Sequence, residues 1–237
     1  EAIRQGADWV EIDVQETHDE RILVAHDRDL MKVGGSPLRI FDAPFEALRA
    51  VDIGSFKDPR FADERIPLFS EVLELAKGRV KLNVELKYYG QEQQFEALVA
   101  ELIDRHDMAD EVVIMSLSLP GVRAMKALRP DWTVGLLSSV AVGDITRLDA
   151  DFFAVNARFA SRAFVERARG RGKGVFTWTV NDPAGMSAMI GKGVDGIITD
   201  RPGLAQRVWE ERKELSVVER LLVQLASRLG SDYGEQL

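Results

Sequence analysis

Cysteine is absent from this chain of 237 residues. That excludes thiol nucleophiles, disulfides and cysteine-bound zinc, and it leaves the redox compartment open. Histidine is scarce, so any imidazole chemistry falls to His18, His26 or His106. No apolar run approaches the roughly 18 residues of a membrane-spanning helix, and no secretory leader is expected. Positive charge is the minority sign, with 31 Lys and Arg against 39 Asp and Glu and a net charge of −8. That balance argues against general nucleic-acid binding and against adhesion to an anionic membrane. It does not exclude an anionic substrate, because one bound cation reverses the field inside a pocket. The location stays open between cytoplasmic and membrane-associated.

What is present is an ordinary globular composition, 46% hydrophobic and 30% charged. The length suits one large α/β domain with a sizeable core. β-rich runs begin at Trp9, Arg79, Val112, Thr133, Phe152, Gly174 and Asp195, and helical patterns separate them from Leu68 onward. Strands alternating with helices mean parallel strands joined by right-handed crossovers. Glycines mark the joints where helices stop, as at Gly6, Gly172 and Gly193. The count is seven, whereas a closed (β/α)8 barrel needs eight. Glu1 to Gln5 reads as the last turn of a helix. The expected fold is therefore a TIM (β/α)8 barrel lacking its first βα unit in this chain. A small insertion is expected at about 27–67, a barrel domain over 1–215, and a C-terminal amphipathic helix and tail over 216–237. An open doubly wound sheet is the rival, but no glycine-rich dinucleotide fingerprint follows any strand.

The first strand and its return carry the candidate chemistry. In Trp9-Val10-Glu11-Ile12-Asp13-Val14, Glu11 and Asp13 share a face. Seven mostly polar residues lead to Ile22-Leu23-Val24-Ala25-His26-Asp27, too short a link for a crossover, so an antiparallel hairpin is predicted. A two-residue turn at Asp19-Glu20 would set Asp13 opposite His26. In a barrel the chemistry gathers at strand C-termini, which here hold Glu11, Asp13, Glu85, Lys87, Ser116, Asn156, Trp178, Asn181 and Asp200. Glu85 and Lys87 read either as a structural ion pair or as part of a site. Trp178 reads either as core packing or as an apolar wall for a glycerol-like group. Three carboxylates plus water suit a hard divalent cation, Mg²⁺ or Ca²⁺.

Several stretches together resemble the glycerophosphodiester phosphodiesterase family. They are Gly6-Ala7-Asp8-Trp9-Val10-Glu11-Ile12-Asp13-Val14-Gln15, Val24-Ala25-His26-Asp27, Ile66-Pro67-Leu68 and Asn83-Val84-Glu85-Leu86-Lys87. Thr177-Trp178-Thr179-Val180-Asn181 and Gly193-Val194-Asp195-Gly196-Ile197-Ile198-Thr199-Asp200 complete the set. The resemblance implies a TIM barrel that hydrolyses glycerophosphodiesters to glycerol 3-phosphate and an alcohol. It implies one divalent cation held by Glu11, Asp13 and Glu85, His26 as one of two catalytic histidines, and Lys87 near the phosphate. The family's opening His-Arg-Gly strand and Pro-Glu-Asn-Thr segment are not in this sequence, so the second catalytic histidine and a phosphate-contacting arginine are missing from it. The region 142–156 and the helical tail also resemble members that carry a membrane domain before the barrel. Two rival readings stand beside this one. One is a non-catalytic barrel that binds a polyol phosphate or a protein partner, and the other is a related metal-dependent phospholipase.

Overall fold

The computed structural model describes residues 1–90, 94–139 and 143–215. It divides into two compact units. The expected C-terminal helix at 216–237 lies outside the described residues.

The unit spanning 8–136 holds the first strands. These are β1 (Trp9–Glu16), β2 (Ile22–Val24), β3 (Lys81–Leu86), β4 (Val112–Ser116) and the first three residues of β5 (Val134–Ser138). β1 pairs antiparallel with β2 and parallel with β3, and β3, β4 and β5 continue in parallel. Between them lie α1 (Met31–Gly34), α2 (Phe45–Arg49), α3 (Phe69–Ala76), α4 (Phe95–Arg105) and α5 (Leu119–Leu128). The helices form where the sequence offers both a start and an apolar stripe. In α4, Phe95, Val99 and Ile103 recur every fourth residue and are buried, as one core-facing face requires. Ser118 caps α5, its hydroxyl accepting from Gly121 N.

The other unit comprises residues 1–7 and those from 137 on. It contains the parallel set β6 (Phe152–Asn156), β7 (Gly174–Trp178) and β8 (Gly196–Ile197). Its helices are α6 (Arg162–Arg169), α7 (Pro183–Lys192) and α8 (Pro202–Glu214). Asp182 caps α7 through Gly185 N, and Pro183 opens it. Gly193 closes it at φ +81°, a left-handed stop that favours glycine. Ile145–Arg147 form a 3₁₀ turn before β6. No helix among the described residues is long and apolar enough to cross a membrane.

The polar excursion after β2 is an ordered insertion with its own apolar centre. Leu23, Leu30, Ile40, Ala43, Phe45, Leu48 and Ile66 pack together there. Gly54 permits a close approach, since a Cβ at that position would lie 1.9 Å from the Phe61 carbonyl oxygen. Arg49 of α2 makes a two-pronged contact with Glu71 of α3, each bond 2.8 Å long. Glu71 also accepts from Leu68 N and so caps α3.

The hairpin register differs from the expectation by one residue. Val14 faces Val24, Gln15 faces Leu23 and Glu16 faces Ile22, so Asp13 comes level with Ala25 rather than His26. The cause is the turn. Thr17 N donates to Arg21 O, and Glu20 sits at φ +57°, which makes a three-residue loop with a left-handed third residue. Side chains hold it in place. Thr17 Oγ1 accepts from Arg21 N and donates to Asp19, and Asp19 accepts from Phe45 N.

Candidate active site

Residues of β1 and β3 bring the acids together. In the parallel register Asp13 is level with Glu85 and Glu11 with Asn83, so alternation puts all four on one face. One carboxylate oxygen from each of Glu11, Asp13 and Glu85 lies within 4.8 Å of the others. At that spacing two full charges repel by about 3 kcal/mol at an effective dielectric near 20. Burial pushes the Glu11 carboxyl up to about 8, with the charges of Asp13 and Glu85 adding to the rise and Lys87 opposing it. Burial likewise pushes Glu85 up to about 7, against the pull of Lys87 and with Asp13 raising it further.

Lys87 follows the end of β3 and is the cation nearest these acids. Its Nζ lies 3.1 Å from Glu85 Oε1 and 3.3 Å from Asp13 Oδ1. Burial alone would lower its pKa, but the two carboxylates outweigh that and leave it raised. Those same two oxygens are buried and carry no aligned hydrogen bond. The ammonium therefore balances their charge without satisfying their lone pairs. Buried carboxylate oxygens left in that state carry a desolvation cost, which a cation between them would remove. An all-oxygen carboxylate set of this kind fits Mg²⁺ or Ca²⁺ rather than a softer metal. The donor set is thus compatible with the divalent cation that the sequence implies.

His26 stands apart from the acid group. β2 ends at Val24, so His26 belongs to the loop beyond it, and its side chain is 67% exposed. The predicted placement directly opposite Asp13 is not met, because the three-residue turn shifts the pairing by one. The loop is nonetheless firmly held. Gln15 Nε2 donates to Ala25 O and Asp27 O, and Tyr89 Oη donates to His26 O. Asp27 Oδ1 lies 2.7 Å from His26 Nδ1. A carboxylate can only accept, so it selects the neutral tautomer with the proton on Nδ1 and leaves Nε2 with a lone pair.

The remaining strand-end polar residues are occupied by local structure. Ser116 Oγ donates to Leu86 O. Asn156 Oδ1 accepts from Arg158. Asn181 bonds Thr199 and both the backbone and side chain of Asp200. Trp178 lies in the second unit, half-buried, and its indole N–H donates to Ala154 O at 3.2 Å. Gln15, Asp27 and Tyr89 were missing from the sequence-derived candidates. Period-two spacing could have found two of them, since Gln15 continues the face of Glu11 and Asp13, and Tyr89 continues that of Glu85 and Lys87.

Comparison with known proteins places the chain among relatives of one kind. Residues 1–204 match the model of the glycerophosphoryl diester phosphodiesterase family. A glycerophosphodiester phosphodiesterase of Caldanaerobacter subterraneus subsp. tengcongensis is 30% identical, over 85% of this chain and 85% of that protein. One from Bacillus altitudinis is 28% identical over 90% of each. Among solved structures, an Oleispira antarctica phosphodiesterase in complex with the product sn-glycerol-3-phosphate superposes with a TM-score of 0.83. It is 26% identical and covers 88% of this chain and 87% of that one. The fold is accordingly α/β of the TIM-barrel type. With most of its length matched by one family model, and its acids paired across β1 and β3, this chain belongs to the glycerophosphoryl diester phosphodiesterase family.

Proposed function

We propose that this chain hydrolyses glycerophosphodiesters to glycerol 3-phosphate and an alcohol, with one Mg²⁺ or Ca²⁺ held by Glu11, Asp13 and Glu85. The observation that carries this reading is the trio of carboxylate oxygens within 4.8 Å, two of them buried without a hydrogen bond. The relative solved with sn-glycerol-3-phosphate supports the product class. A bound divalent cation supplies electrostatic neutralisation of phosphoryl oxygens.

The protein's own groups do the rest. Glu11, Asp13 and Glu85 orient the substrate by fixing where its charge is neutralised. Lys87, placed beside Asp13 and Glu85, offers its ammonium to a phosphoryl oxygen. His26 exchanges a proton with a reacting oxygen through Nε2, while Asp27 keeps the ring oriented through Nδ1.

The test is release of glycerol 3-phosphate from glycerophosphocholine with Mg²⁺ or Ca²⁺ present. Glu85→Gln keeps the shape and removes the charge, and should cut turnover about a thousandfold. Undiminished turnover in that variant would refute the ligand assignment. Turnover of intact phospholipid but not of glycerophosphocholine would point instead to a phospholipase.

A further inference from the structure

A cleft shares Lys87 with the acid group, within the same unit. It is a shallow cleft bounded by Gln15, Arg28, Arg39, Phe41, Lys87 and Tyr89, with Glu16 also on its wall. Lys87 belongs to both places, so the cleft begins where the phosphate is proposed to sit. Its far side is the insertion, which brings two guanidiniums toward that lysine.

We infer that this cleft is the head-group subsite, and that it favours a glycerophosphodiester whose alcohol carries a second anionic group such as a phosphate. The inference rests on the phosphodiesterase reading above and adds the substrate class. Three wall residues are cationic and only Glu16 is anionic, in a protein whose overall charge has the opposite sign. Glu16 is buried and already engaged within the protein, so it does not offer itself to a cationic head group.

The arginines are held from a firm base. Arg28 and Arg39 lie on adjacent segments of a small antiparallel ladder, with Leu30 N donating to Leu38 O and Ile40 N to Arg28 O. Leu30, two residues after Arg28, and Ile40, next to Arg39, are each 1% exposed in the insertion's core. Each guanidinium is paired at the surface with a neighbouring acid. Arg28 Nε is 3.9 Å from Asp29, and Arg39 Nη1 is 3.1 Å from Asp42, in exposed side chains. Exposed pairs of that kind contribute little, whereas a phosphate can take two parallel hydrogen bonds from a guanidinium. Phe41 and Tyr89 supply ring faces against which a polyol's carbons can rest.

The chain is assayed with Ca²⁺ on glycerophosphoinositol 4-phosphate and on glycerophosphocholine. The phosphorylated polyol should have the higher kcat/KM. Replacing Arg28 and Arg39 together by alanine should reduce that preference about a hundredfold, roughly tenfold for each guanidinium. Arg39→Glu should move the preference toward choline. Equal losses on both substrates, or an unaltered preference, would overturn the inference. A second measurement needs no turnover: inositol 4-phosphate alone is titrated by calorimetry into the chelator-treated protein. Binding that the double variant weakens about tenfold or more upholds the subsite even if no diester is hydrolysed, in which case the phosphodiesterase reading is what fails. Hydrolysis of both diesters with no dependence on either arginine sinks the subsite and leaves that reading standing.

Discussion

Stripping divalent cations from this protein should make its stability fall as pH rises from about 5 to about 8, opposite to the usual behaviour of paired carboxylates. Glu11 is the cause. Its carboxyl is held near 8 in the folded state against 4.5 ordinarily, chiefly by burial. Between those values the unfolded chain has released this proton and the folded chain still holds it. The folded state therefore binds more protons, and stability falls with pH. At about 1.36 kcal/mol per decade the ceiling is about 5 kcal/mol, and partial solvation reduces it to about half that. Glu85, raised to about 7, works in the same direction but shares its charge interactions with the same neighbours, so the two contributions do not add. The assay is urea denaturation at about pH 5 and pH 8 in chelator, for the wild type and for Glu11→Gln. The wild-type midpoint should drop at the higher pH, and the amide variant should lose most of that drop. Restoring Mg²⁺ or Ca²⁺ at about a hundred times its Kd should recover about 2.7 kcal/mol at the higher pH. A chelated wild type that is more stable at pH 8 than at pH 5, or a Gln variant with the full slope, would refute the account.

Lys87→Met leaves three acids with no nearby ammonium, because Lys87 is ion-paired to both Asp13 and Glu85. In chelator it should destabilise the protein by about 3 kcal/mol at pH 8 and by much less at pH 5, read from the same denaturation curves. His26→Gln should lower kcat about 10²- to 10⁴-fold while leaving cation affinity by calorimetry near the wild-type value, because the imidazole lies outside the carboxylate group. Asp19→Ala removes acceptors used by Thr17 Oγ1 and Phe45 N. It should cost about 1–2 kcal/mol in thermal denaturation and should lower activity through the loop that carries His26.

The amino-acid order alone determined the alternation of strands and helices. It also placed β4 and β6 at their observed ends, Val112–Ser116 and Phe152–Asn156, because continuous apolar runs bounded by polar turns have one economical reading. It determined the acids too. A strand that should fill a core but carries Glu85, beside one carrying Glu11 and Asp13, already implied a compensating charge. What it could not determine was the hairpin register. That depended on Thr17, Asp19 and the left-handed Glu20, and on Phe45, which lies 26 residues beyond Asp19 and donates its N–H to that carboxylate. One residue of slip moves every side chain of a strand to the opposite face, and so His26 left the place assigned to it. The Arg28–Arg39 cleft was equally out of reach, because no local spacing connects two insertion arginines to Lys87. Periodicity acts between neighbours along the chain, whereas turns closed by side chains and clefts walled by distant segments exist only once the chain has folded.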